Sequence, residues 1–225
     1  MEITIHEDQE EEDYVVTIGD KRIHTVANVG NSIIVRGWLR EVKRVYAKNH
    51  RKILVGLCAD RPLRYKKGQV VDEPYQILQL CIDSHCLIFD LEEGKPPCAL
   101  KAFLRNPRIE FVGIGIHRVA EKLDEKFGLY VGKPVDLHEL VREAICRNDL
   151  GRRGLEMLAK IVLGEDMDIT KPSHIEWEHS MYYNILSDDK VKFATVDAFL
   201  SYKIGDKCKK IIRDNKSNKN HVSFS

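Results

Sequence analysis

The sequence predicts a mixed α/β sheet flanked by helices, and three observations carry that prediction. The first half of the chain holds two hairpin patterns, short apolar runs broken by polar turns. From about residue 110 onward, strand-like and helix-like periods alternate, the pattern of strands joined by crossover helices. The last third reads as helices alone. With 225 residues and 43% hydrophobic content, the chain can bury one substantial core.

Residues 1–13 form an acidic start with no predicted element; residues 14–212 hold the domain; residues 213–225 are a polar, basic tail. Residues 14–18 and 22–26, separated by Gly19-Asp20, predict a β-hairpin. Asn31-Ser32 caps a helix whose apolar face is Ile34, Trp38, Val42 and Val45 or Tyr46. Residues 53–59 predict a buried strand, and 61–74 a basic loop. Residues 75–82 and 86–91, around Asp83-Ser84-His85, predict a second hairpin beside that strand. Pro97 opens a short helix that ends before Asn106-Pro107. Residues 110–115 predict a strand, and 117–127 a helix packed through Ala120, Leu123 and Phe127 and stopped by Gly128. Val135 marks a brief strand, after which Asp136 and Glu139 open a helix to about Cys146. Residues 154–163 predict a helix capped by Gly164, and Ser187 caps the last helix. No internal repeat is present.

Charge nearly cancels overall, 36 basic residues against 35 acidic, but its distribution is uneven. Glu7 to Asp13 is acidic, Arg36 to Lys67 is basic, and the tail from Lys207 to Lys219 is basic again. A basic segment around a site strand can track a phosphate backbone, although such runs also serve simply as solvated faces. Tyr46 and Tyr65, interleaved in it, are candidate stacking groups. The six cysteines show no CxxC spacing, and no apolar run approaches the length of a membrane span. That places reduced, mostly buried thiols in a nuclear or cytoplasmic protein with no membrane partner. Zinc gains little support from Cys81, His85 and Cys86, which lie on two adjacent strands.

The strand 53–59 ends in Cys58, Ala59 and Asp60. Two residues apart on an extended strand, the thiol and the carboxylate share a face, a common way to deliver polar groups to a site.

The segments VGLCADRP, LQLCIDSHCLIFDL, FVGIGIHRVAEKLDEKFGL, VDLHEL, GLEMLAKIVLG and KFATVDAFLSYKIG occur in an order and spacing that resembles the Werner-syndrome-like 3′–5′ exonuclease domain, over about residues 14–212. The resemblance is to a plant member of the DEDDy group and implies a ribonuclease-H-like fold. In active members it implies four acidic residues holding two divalent metals, with a tyrosine that orients the attacking water. Set on this sequence, those catalytic positions are Cys58, Asp60, Val119, Phe193 and Asp197. An Asp-Val-Glu motif has become Cys58-Ala59-Asp60, the helix-start Asp has become Val119, and the Tyr of Tyr-x-x-x-Asp has become Phe193.

Only Asp60 and Asp197 remain as metal-ligand candidates, so the expected cofactor is none, or weakly bound Mg²⁺ or Mn²⁺. The expectation is a catalytically impaired exonuclease-family domain that binds DNA or RNA, or a regulatory or assembly module with a protein partner or a second copy of itself. The alternative is surviving metal-dependent 3′–5′ exonuclease activity. Candidate nucleic-acid contacts are Arg61, Arg64, Lys66, Lys67 and Arg118, with Arg118 also a candidate to replace a metal's charge beside Asp60 and Asp197.

Overall fold

A computed structural model describes residues 3–7, 13–28, 31–47, 53–61, 65–66, 69–70, 74–92, 95–147, 153–164 and 186–222. Its centre is an eight-stranded mixed sheet. In chain order the strands are β1 (Ile3–Glu7), β2 (Asp13–Ile18), β3 (Lys21–Asn28), β4 (Ile53–Asp60), β7 (Ile77–Ile82), β8 (His85–Asp90), β9 (Ile109–Gly113) and β10 (Pro134–Asp136). The two-residue strands β5 (Tyr65–Lys66) and β6 (Gln69–Val70) pair only with each other.

Across the sheet the order is β1-β2-β3-β8-β7-β4-β9-β10. Pairing is antiparallel in β1–β2, β2–β3, β8–β7 and β7–β4, and parallel in β3–β8, β4–β9 and β9–β10. Both predicted hairpins form. The second turns on Asp83-Ser84, so His85 belongs to β8 rather than to the turn. The start of the chain corrects the prediction, because Ile3–Glu7 forms an edge strand. Glu7 to Ile3 run in register against Tyr14 to Ile18, and the backbone groups offered by β2 supply what the short segment lacks by itself.

The helices are α1 (Ser32–Ala47), α2 (Cys98–Leu104), α3 (Ile116–Phe127), α4 (Leu137–Ile145), α5 (Leu155–Leu163) and α6 (Asp188–Val222). Alternate residues of β7 and β8 divide the core in two. Ile77, Cys81, Cys86 and Ile88 pack with α4, α5 and α6, whereas Leu78, Leu80, Leu87 and Phe89 pack with α1, α2 and α3. The Asn31 side chain caps α1 by accepting from the Ile33 N–H at 2.9 Å. The face α1 buries is Val35, Trp38, Leu39 and Val42, not one centred on Ile34 and Val45, and Ile33 is left 73% exposed. Helix α6 continues past residue 212 to Val222.

Thr25 of β3 and Thr195 of α6 share a buried hydroxyl contact of 3.0 Å. Thr195 spends its proton on the Val191 carbonyl at 2.7 Å, so Thr25 donates across the interface. Among the described residues all six cysteines are free thiols; Cys81, Cys86 and Cys208 are buried, while Cys98 and Cys146 are exposed. Burial pushes the Cys208 thiol up to about 12 and holds Cys86 well above its ordinary range. No helix among the described residues is long and apolar enough to cross a membrane.

Candidate active-site cleft

The site is set by one glycine. At Gly56, in the middle of β4, a Cβ would collide with the Ala198 carbonyl oxygen of α6 and would lie 2.7 Å from the Tyr202 nitrogen. Glycine therefore lets α6 lie directly on β4. With that contact fixed, Asp197 and Ser201, one turn apart on α6, stand over the carboxyl end of β4. Cys58 Sγ lies 3.3 Å from Ser201 Oγ, a hydrogen bond between the strand and the helix.

The second wall is positioned by Asp136. One carboxylate oxygen accepts from the His138 N–H at 2.8 Å, capping α4, and the other accepts from the Gly115 N–H at 2.8 Å. Gly115 takes a left-handed conformation (φ 59°) as the cap of α3, a turn that glycine makes without strain. That bond seats the start of α3, and Val119 follows one turn later.

Between these walls lies a cleft of about 650 Å³ lined by Cys58, Asp60, Gln79, Val119, Glu156 and Asp197, together with Lys160 and Ser201. Three of the four acidic motif positions, Cys58, Asp60 and Asp197, line it together, with the fourth, Val119, on the opposite wall. Val119 also packs against the apolar core on the α1–α3 side. Asp60 accepts from the Arg61 N–H at 2.9 Å.

Two expected members are elsewhere. Phe193 is 8% exposed, packs into the α4–α6 core with the Lys192 ammonium over its ring at 5.6 Å, and is not among the lining residues. Arg118 is exposed on α3 and is not among the residues that line the cleft. The cation that lines the cleft is Lys160 of α5. Arg64 and Lys67 lie outside the described residues, and Lys66 is described only as part of β5.

Gln79, Glu156, Lys160 and Ser201 escaped the sequence reading. Ser201 was within reach, one helical turn after Asp197. Gln79 is the polar member of an otherwise apolar strand and sits directly across the ladder from Cys58. It is wholly buried, and neither atom of its amide has a hydrogen-bond partner among the described residues. An amide buried in that way costs about 1–3 kcal/mol. Glu156 and Lys160 carry no motif, and only the seat of α5 brings them to the cleft.

The two-metal set that the resemblance implies does not fit these residues. Magnesium and manganese take hard oxygen ligands. Cys58 offers a sulfur already engaged with Ser201, and Val119 offers only methyl groups. Among the described residues no three His, Cys, Asp or Glu side chains gather in a group that could hold an ion.

No protein-family model matches the chain. In sequence it is 26% identical over 149 residues to a 3′–5′ exonuclease of Arabidopsis thaliana, an alignment covering 66% of this chain and 50% of the relative. The chain thus spans about half the length of that relative. In structure it is similar to Escherichia coli RNase D, an exoribonuclease involved in structured RNA processing, with a TM-score of 0.58 and 16% identity over 84% of this chain and 45% of that one. The EXD2 exonuclease domain soaked in Mn and Mg aligns with a TM-score of 0.46 and 19% identity over 87% and 94% of the two chains. The eight-stranded mixed sheet and the likeness to RNase D give this chain a ribonuclease-H-like fold, and in sequence it is similar to the plant 3′–5′ exonuclease.

Proposed function

We propose that this domain binds single-stranded nucleic acid at the rim of its cleft and does not hydrolyse it by the two-metal route. The observation behind this reading is the engagement of Cys58 with Ser201, opposite the apolar Val119 wall, where two carboxylates would be needed. Among the described residues that line the cleft, Asp60, Glu156 and Asp197 outnumber Lys160, so a phosphate backbone is repelled from its floor. Arg61 follows Asp60 at one edge, and Arg118 precedes Val119 at the other. Arg64, Lys66 and Lys67 extend that basic edge in sequence. Contacts of this kind hold a strand by its phosphates, without reading its bases.

The test incubates the purified chain with 5′-labelled single-stranded and recessed-end DNA and RNA, with Mg²⁺ or Mn²⁺. The expected result is retention that weakens steeply with salt, and no shortening. Replacing Arg61 or Arg118 with alanine should lower the salt slope by about one each. A ladder of 3′-shortened products that disappears in Asp197→Ala would overturn the non-hydrolysing reading. No binding, with a defined oligomer on light scattering, would instead favour an assembly module.

A further inference from the structure

We propose that His24 and His85 form a two-histidine chelate for a divalent transition metal of the zinc, copper and nickel class, in the groove between α1 and the β3–β8 seam. This site is separate from the cleft and does not rest on the function proposed above. β3 and β8 run parallel, and His24 and His85 are direct partners in the ladder, so their side chains leave the same face. Their rings are 6.0 Å apart between centroids and inclined by 27°.

A metal about 2.0–2.1 Å from one nitrogen of each ring brings two imidazole centroids to about 5 Å, so the stacked rings must close by about 1 Å and also turn, because each lone pair lies in its ring plane and has to point at the ion. The nitrogens are available for it. Among the described residues none bonds the ring of His24, and the one ring hydrogen bond of His85 is a long contact of 3.5 Å between Nδ1 and Ser84 Oγ, so Nε2 has no partner there. Both strands are also tied at this point by the backbone, with the His24 N–H donating to the Ser84 carbonyl at 2.8 Å.

Burial and then the neighbouring His24 hold the His85 imidazole below its ordinary range, which favours the neutral, ligating form near neutral pH. The charged groups that act on His85 are His24, Asp83, Glu41 and Arg44. The groove, about 620 Å³, also carries Glu41 and Asp13. Glu41 is now paired with Arg44 at 2.8 Å, and no three ligand side chains are gathered among the described residues. The chelate is therefore two-point, completed by water or by Glu41 turned from its arginine. Imidazole ligands suit zinc, copper and nickel rather than magnesium. A bound ion would clip β3, and with it the β1–β2–β3 meander, to β8.

Isothermal titration calorimetry of the whole chain with ZnCl₂, and separately NiCl₂, tests this. The expected result near neutral pH is saturable uptake of one ion per chain. Affinity should fall roughly tenfold or more in His24→Ala and stay unchanged in Cys58→Ser, which separates the pair from the cleft thiol. Uptake should weaken as pH falls, because protons compete with the metal for the imidazole lone pairs. His24 is exposed, so its replacement leaves the core intact, and a thermal melt of the metal-free variant checks this. Equal uptake by His24→Ala and wild type, or no saturable uptake by wild type, would overturn the proposal.

Discussion

The cleft at the end of β4 and the groove beside α1 are nearly equal in size, yet they are put together differently. The cleft collects oxygen, from Asp60, Glu156, Asp197 and Ser201, with one thiol and one lysine. The groove carries two imidazoles, Arg40 and the indole of Trp38, whose buried N–H has no partner among the described residues, beside the carboxylates of Asp13 and Glu41. The cleft groups come from β4, α5 and α6, so their separation depends on how each helix is seated. The two histidines are neighbours in one ladder, and register alone fixes their spacing. A sheet can set two ligands side by side without help; a cleft lined from β4, β7, α3, α5 and α6 needs every element in place.

The largest effect should come from breaking the helix seat. Gly56→Val drives a side chain into the α6 backbone and should destabilise the fold by about 3 kcal/mol or more, measured by urea denaturation. The matching glycine in the groove should respond in the opposite sense. Gly37 lies inside α1, and a Cβ there would meet nothing within 4 Å, so Gly37→Ala should stabilise by about 0.5–1 kcal/mol. If both substitutions cost the same, the contrast between a seated helix and an open groove is wrong.

A smaller effect should follow Asp136→Ala, which removes the α4 cap and the bond to Gly115 together. About 2 kcal/mol is expected, with faster hydrogen exchange at the start of α3, where Val119 forms the cleft wall. Unchanged exchange there would show that the wall is held by packing alone.

The smallest should come from a charged triad, Glu110 with Lys133 and Lys209, that lines neither the cleft nor the groove. Glu110 is buried at the start of β9, with Lys133 bonded to one oxygen at 2.5 Å and Lys209 of α6 to the other at 2.9 Å. Burial pushes its carboxyl up, but the two lysines outweigh burial and hold it below the ordinary 4.5. The unfolded chain therefore takes up the proton first as pH falls. The stability Glu110 contributes is complete above about pH 4.5 and is lost as pH drops through the folded value. Glu110→Gln should cost about 1 kcal/mol at neutral pH and flatten that acid limb in melts taken across it.

Elements with local signals were legible in the sequence. The Gly19-Asp20 turn, the Asn31 cap, Gly128 closing α3, Asp136 opening α4 and Gly164 closing α5 each act within a few residues of themselves. β1 was not legible, because its hydrogen bonds belong to β2 and the acidic residues after it mask the short apolar alternation. The buried face of α1 was misjudged because apolar residues surround much of that helix, and only its docking on the sheet chooses between Ile34 and Val35. At the site, Cys58 and Asp60 could be paired from strand periodicity alone. Phe193 and Arg118 could not be placed, since the direction of a helical side chain depends on how the helix is rotated against its neighbours.

The sequence by itself therefore determined the order of elements, their caps and the chemical character of each candidate position: a thiol for Cys58, an alkyl group for Val119, an aromatic ring without a hydroxyl for Phe193. Tertiary structure decided which of these groups share a space. It brought Cys58 to Ser201, lined the cleft with Lys160, buried Phe193 in the helical core, and set His24 against His85. The physical reason is range. Turn and cap energies act over a few residues, whereas a site depends on where sheet register and helix seating bring together side chains far apart in the chain.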